Sequence, residues 1–353
     1  MVKPLFFISA LAATLTLACA RPSHAALFWL DDLGPLDSQL YVLGIASTGA
    51  TYGIVDLWGT SPYTGALQPL NQPLQVLSFS NYVRGVNASG ITAGEYYWSD
   101  VDTQKQWGYR LTPGSSYKML KTPTGVAFNS VSSMKTSGIN SGNRIAGRCV
   151  VNGVTRAFVN RIQLDFNLRK IETTTLLSTP VGYNSAALGI GEGNTIVGSL
   201  YLPGISGMAT RWNPDGSWQV VAPSGSSGSW AACAAPNGRV AGVAFYSDGW
   251  HLFRTNSAGV PQDLGYDSQN PQVRGINSSG GVVGTANSLP LNYPLYISPG
   301  GTKYNLNSVY INAGLITQIE NAYHIDESGN ILATALSVWG ERRVVRLTVI
   351  NAE

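Results

Sequence analysis

The chain has 353 residues, with 22 basic and 19 acidic side chains, a formal charge of +3 and a charged fraction of 12%. Ordinary soluble domains carry about twice that fraction; here Gly, Ser, Asn and Thr fill the balance, as in turn-rich β proteins. So small a net charge excludes an electrostatic trap for nucleic acid.

In chain order, residues 1–25 read as a secretory signal peptide: Lys3, an apolar run over residues 5–18, then small residues at Ser23 and Ala25 that place the cut before Ala26. The run is too short for a comfortable membrane span. Lipidation at Cys19 is the alternative fate, although Thr16 and Leu17 depart from the usual lipobox pattern. Without Lys3 and Arg21 the charge falls to about +1, and no later apolar stretch approaches the roughly 20 residues that cross a bilayer. A secreted, periplasmic or cell-surface protein is expected.

Residues 26–33, "ALFWLDDL", are predicted to be a strand. A ten-residue phrase then recurs seven times without gaps: "GIASTGATYG" at Gly44, "GVNASGITAG" at Gly85, "GINSGNRIAG" at Gly138, "GIGEGNTIVG" at Gly189, "CAAPNGRVAG" at Cys233, "GINSSGGVVG" at Gly275 and "HIDESGNILA" at His324. The period of about 47 residues points to a propeller or an array. Each unit parses into four short strands with turn chemistry between them, which is the blade of a β-propeller. The middle Gly of each phrase suits a hairpin turn, and the outer ones mark close backbone approach where blades taper toward an axis.

The predicted fold is therefore all-β: a seven-bladed propeller of four-stranded antiparallel blades, occupying residues 26–353 as one domain. The seventh copy is followed by only two further strands, and "DDLG" at Asp31 matches "QDLG" at Gln262 in the outer strand of another unit. The first strand is thus expected to close the last blade and remove the open sheet edges. Cys149 and Cys233 belong to copies three and five, which are not neighbours in a seven-membered ring. They are expected to be unpaired.

The pairs "DDLG" with "GIASTGATYG" and "QDLG" with "GINSSGGVVG", together with third elements such as "RAFVNR" and "ATRWNP", resemble the bacterial extracellular HAF-repeat family. The resemblance covers nearly the whole chain after residue 25, and it implies secretion rather than an activity. Its motifs depart most in copies five and seven, where Cys233, His324 and Ala333 replace glycines.

Chemistry is sparse. No G-x-S-x-G elbow occurs, no Ca²⁺ loop signature occurs, and only His251 and His324 follow the signal peptide. His324 sits at an inner-strand Gly position, where it either enters the axial channel or fills space in an irregular blade. The carboxylate pairs Asp31–Asp32 and Asp100–Asp102 are the candidates for glycan cleavage, although Asp at turns has structural uses. No metal, cofactor or catalytic residue is assigned.

Aromatic residues are more informative. The regions between second and third strands carry Trp58, Tyr63, Tyr97, Trp98, Trp107, Tyr201, Tyr246, Trp250, Tyr293 and Trp339, and the blade connections on the same face add Tyr183 and Trp230. Such rings stack on sugars or anchor protein partners, or else fill strand ends and seams between blades. Trp58, Trp98, Trp107, Tyr201, Trp250, Tyr293 and Trp339 are the candidate ligand-binding set. The expected function is that of a monomeric, secreted, non-enzymatic binding or surface-interaction module for a polysaccharide or an extracellular protein. A glycan-cleaving enzyme and a structural matrix component are the alternatives.

Overall fold

A computed structural model describes residues 27–55, 64–77, 82–100, 103–164, 167, 169–266, 271–288, 291–311 and 314–350. The phrases set the frame. Each lies across a hairpin formed by the innermost and second strands of one four-stranded antiparallel sheet, and there are seven such sheets. The inner strands are Leu40–Ile45, Tyr82–Val86, Val131–Ile139, Asn184–Ile190, Gly228–Ala234, Gln272–Ile276 and Ile316–Ile325, for blades 1 to 7. Blade 4 shows the whole unit, continuing through Ile196–Tyr201 and Met208–Trp212 to the outer strand Trp218–Val220.

The ring closes as the sequence predicts. Phe28–Pro35 pairs antiparallel with Arg342–Val349, from Phe28 opposite Val349 to Pro35 opposite Arg343, with a one-residue bulge at Leu33. It therefore forms the fourth strand of blade 7. A two-residue strand, Tyr310–Ile311, adds a fifth, parallel member at the edge. Phe28 and Leu30 alternate with the outward Trp29 and bury themselves in the seam between blades 6 and 7, where Phe28 meets Tyr296 edge-on at 5.3 Å.

Among the described residues the core lies between the blades and not at the centre of the ring. The buried apolar residues fall into seven clusters, one per seam: Ala187 and Leu200 of blade 4 pack on Ala146 and Ala157 of blade 3, and Ala231 and Phe253 of blade 5 pack on Val197 and Ala209 of blade 4. Small residues dominate the inner ends because adjacent blades converge there.

All seven inner strands share one irregularity. The pairing slips by one residue just before each phrase, between Val42 and Gly44, Val83 and Gly85, Thr136 and Gly138, Ala187 and Gly189, Ala231 and Cys233, Val273 and Gly275, and Ala322 and His324. A β-bulge bends the strand and brings its backbone against the partner strand. The last Gly of the phrase sits opposite that bend: a Cβ on Gly198 would lie 1.9 Å from the carbonyl oxygen of Ala186, and one on Gly284 1.9 Å from that of Gln272. The first Gly answers to the next blade instead, since a Cβ on Gly189 would meet the carbonyl oxygen of Ala232 at 2.4 Å. At the turn, Gly90 takes φ +74°, and in blades 3 and 4 Asn143 and Asn194 hold the same position at φ +60° and +65°. Asparagine tolerates this left-handed conformation better than other side-chain-bearing residues.

Candidate functional site

Because successive strands alternate direction, the phrase turns all lie on one side of the ring, here the turn face. The loops between second and third strands and the connections between blades lie on the other, the loop face. The inner strands run from the loop face to the turn face around a central cavity of about 1080 Å³. Each bulge pushes its extra residue into the wall of that cavity: Leu43, Arg84, Ser137, Leu188, Ala232, Arg274 and Tyr323 in blades 1 to 7. This collar is lopsided. Blades 6, 7, 1 and 2 contribute two guanidinium groups, an aromatic ring and a leucine, and blades 3 to 5 contribute small or aliphatic side chains.

The two arginines differ. Arg84 is neutralised, its Nε 3.2 Å from the buried Glu95 carboxylate, which also accepts a hydrogen bond from Gln106. Arg274 lies over the Tyr323 ring at 4.6 Å and donates to the carbonyl of Leu43 at 3.2 Å and to Oε1 of Gln272. It therefore reaches from blade 6 to blade 1, over blade 7. No carboxylate among the described residues pairs with it, and its Nε is buried without a hydrogen-bond partner. Arg342, at the same end, is held by Glu320 at 3.1 Å.

Tyr52 completes the arc. It pairs with Gly44, and its ring packs on the seam between blades 1 and 2 with the hydroxyl over that glycine at the channel wall, where a Cβ on residue 44 would lie 2.2 Å from it. Burial pushes the phenol up from its usual range, and the nearby Arg274 pulls it part of the way back, with Arg84 adding to the pull. The hydroxyl is a proton donor at neutral pH.

His324 lines the channel wall. Burial lowers its pKa, with Asp326 and Glu192 opposing, so the ring is neutral at pH 7. At the turn face the acidic residues are structural clips: Glu192 accepts from the backbone N–H of Ser141 at 2.9 Å, and Glu327 accepts from that of Ser278 at 3.1 Å. In both cases a glutamate at the fourth phrase position ties its blade to the preceding one.

The other chemical candidates are engaged elsewhere. His251 has Nδ1 2.9 Å from Asp263 and Nε2 3.0 Å from Asp248, so both ring nitrogens are occupied, and Tyr246 packs on the ring at 4.3 Å. Asp32 pairs with Arg343 at 2.8 Å and Asp31 with Arg346 at 3.4 Å, both on the outer part of blade 7. The Asp100 side chain and Asp102 lie outside the described residues. Among the described residues no group of three potential metal ligands comes together.

The aromatic set divides by environment. Trp339 is 66% exposed at the tip of a blade 7 loop. Trp250, Tyr201 and Tyr293 are half-buried. Trp250 and Tyr293 pack on the seam between blades 5 and 6, and Trp250 also meets Trp230 and the exposed Phe245, each at 5.1 Å. Trp107 is a seam residue, 3% exposed, donating its indole N–H to the carbonyl of Leu120 at 2.8 Å; a ligand cannot reach it. Trp58 and the Trp98 side chain lie outside the described residues. Sequence reasoning passed over Arg84, Arg274 and Tyr52. Their signal is in the copies: Arg precedes the phrase at positions 84 and 274, and Tyr52 holds a phrase position that is Ala, Val or Leu in the other six.

No family model and no curated protein matches the chain. Among solved structures it is similar to streptogramin B lyase (10% identity, TM-score 0.50, covering 92% of this chain and 98% of that one). It is also similar to puromycin hydrolase (12% identity, TM-score 0.53, covering 91% of this chain and 55% of that one), so it spans about half the length of that enzyme. TolB from Acinetobacter baumannii aligns at 13% identity with a TM-score of 0.44, over 86% of this chain and 64% of its own. At these identities the likeness concerns the fold alone: the chain is a seven-bladed β-propeller.

Proposed function

We propose that the ring is a secreted binding module, akin to HAF-repeat proteins, that takes a polysaccharide across its loop face. The observation that carries this reading is the distribution of exposed apolar side chains. Tyr41, Phe128, Ile205, Phe245, Leu315 and Trp339 are all exposed at loop-face positions, as is Val181 in a blade connection. The opposite face carries fewer and less exposed ones among the described residues: Trp29, Ile162, Ile171, Trp218 and Ile350 at strand ends, each 38–43% exposed, and Val260 in a turn at 55%. Apolar side chains gathered on one face of a ring mark an interaction surface, and flat aromatic rings with polar neighbours are suited to sugar faces.

The test is a panel of neutral and acidic polysaccharides, read both for binding and for released reducing ends. Binding without release is expected, and Trp339→Ala should weaken it about fivefold to 100-fold, as for an interface anchor, with an unchanged melting temperature. Release of reducing ends would overturn the non-enzymatic reading. Binding of no polysaccharide would overturn the ligand class.

A further inference from the structure

We propose that the blade 6–7–1–2 arc of the channel collar is a binding site for a single carboxylate group, with Arg274 as its charge partner and the Tyr52 hydroxyl as a second donor. The site lies inside the ring, apart from the loop-face aromatics, and is tested separately from them.

The argument begins with Arg274. Its guanidinium is fixed in place by the Tyr323 ring beneath it and by hydrogen bonds to Leu43 and Gln272, yet its charge is unmatched and its Nε has no partner. A guanidinium offers five N–H donors in a planar fork, a geometry matched to a carboxylate. The arginines that tie adjacent blades differ from Arg274 in place: Arg254 donates to the carbonyls of Gly280, Ser298 and Pro299, Arg110, Arg211 and Arg239 also reach the next blade's turn and also keep an unpartnered Nε, and none of the four lines the cavity. Arg274 instead passes over the adjacent blade and lies in the cavity.

Charge and space then select the ligand. Among the described residues Glu95 cancels Arg84 and Glu320 cancels Arg342, which leaves the Arg274 charge unmatched at this end of the channel. One charge suits a carboxylate better than a phosphate dianion. Across the cavity, Ser137, Leu188 and Ala232 leave room for the body of the ligand. Glu192 and Glu327 sit in the phrase turns just past the ends of their inner strands, on the turn-face side of the cavity, and disfavour an anion there. A carboxylate is thus drawn to the loop-face end, and a terminal sugar acid or a free small acid presents the same group.

Calorimetry with sodium glucuronate tests this, with glucose as the neutral comparator and inorganic phosphate as the dianion. Glucuronate is expected to bind and glucose not; Arg274→Gln should weaken binding about tenfold or more, and added salt should weaken it further. Tyr52→Phe, which keeps the ring and its packing, should weaken glucuronate binding severalfold without moving the melting temperature, and it decides the matter if Arg274→Gln fails to fold. Equal binding of glucose, tighter binding of phosphate, or an unchanged affinity in Tyr52→Phe would overturn the site. An oligouronate that binds more tightly than glucuronate, with the gain lost in Trp339→Ala, would join the site to the loop face. Polysaccharide binding without any glucuronate binding would overturn the site and leave the loop-face reading standing.

Discussion

The Asn87 side chain donates to the backbone carbonyl of Asn140 at 3.1 Å, and Asn140 repeats the contact one blade on, donating to the carbonyl of Gly191 at 3.2 Å. Asn277 does the same to Asp326 at 3.0 Å. Within its own turn each of these asparagines also accepts backbone N–H groups: Asn87 from Ser89 and Ile91, Asn140 from Arg144, and Asn277 from Gly281. One residue thus shapes the phrase turn and ties it to its neighbour. Three of the seven blades, 2, 3 and 6, make this tie, and Ala46, Gly191, Ala235 and Asp326 hold the position in the others. In blade 4 close backbone approach takes its place: a Cβ on Gly191 would lie 2.5 Å from the carbonyl of Ala234.

Asn277→Ala removes the donor to the Asp326 carbonyl and orphans the N–H of Gly281. Buried unsatisfied groups cost about 1–3 kcal/mol each. A fall in unfolding free energy of about 2–4 kcal/mol by denaturant titration is expected. Asn237→Ala, at an exposed turn position, should cost under about 1 kcal/mol.

Deleting residues 26–34 should lower the melting temperature far more than deleting an equal length of exposed loop. It strips Phe28 and Leu30 from the last seam and exposes the edge of Arg342–Val349. Differential scanning calorimetry of the two deletions compares them directly, and supplying residues 26–35 as a free peptide should restore part of the loss.

His324 makes stability depend on pH. Its folded-state pKa lies below the usual 6.5 because burial disfavours the charged ring. Below about pH 6.5 the unfolded chain therefore takes up a proton that the folded ring refuses, and stability falls as pH drops toward the folded value. The slope from this group is at most about 1.4 kcal/mol per pH unit. Melting temperatures from pH 8 to pH 5 should show the decline, and His324→Gln should flatten it.

Cys149 and Cys233 are free, and burial pushes both thiols up to about 12. Thiolate is the reactive form. The native protein is expected to react slowly with a thiol reagent at pH 8 and the unfolded protein to show Cys149 and Cys233 quickly, with Cys19 as a third group in a chain that keeps residues 1–25.

Much of this was legible in the sequence. Seven copies of a phrase at a period of about 47 residues determine a seven-bladed ring, because a four-stranded sheet has two faces to bury and only stacking against equivalent sheets buries both. The match between "DDLG" and "QDLG" likewise identified the closing strand, and the separation of copies three and five kept the cysteines apart. The shared bulge, the third-strand arginines such as Arg110 and Arg254 that reach the next blade's turn, and the separation of Trp107 from Trp339 were decided only in three dimensions. An aromatic residue at a strand end faces a seam or the solvent according to the neighbouring blade, which local sequence does not encode. The carboxylate arc has the same origin. Arg274, Tyr323, Leu43, Tyr52 and Arg84 span 281 positions of sequence and meet because the ring closes, which sets the seventh blade beside the first.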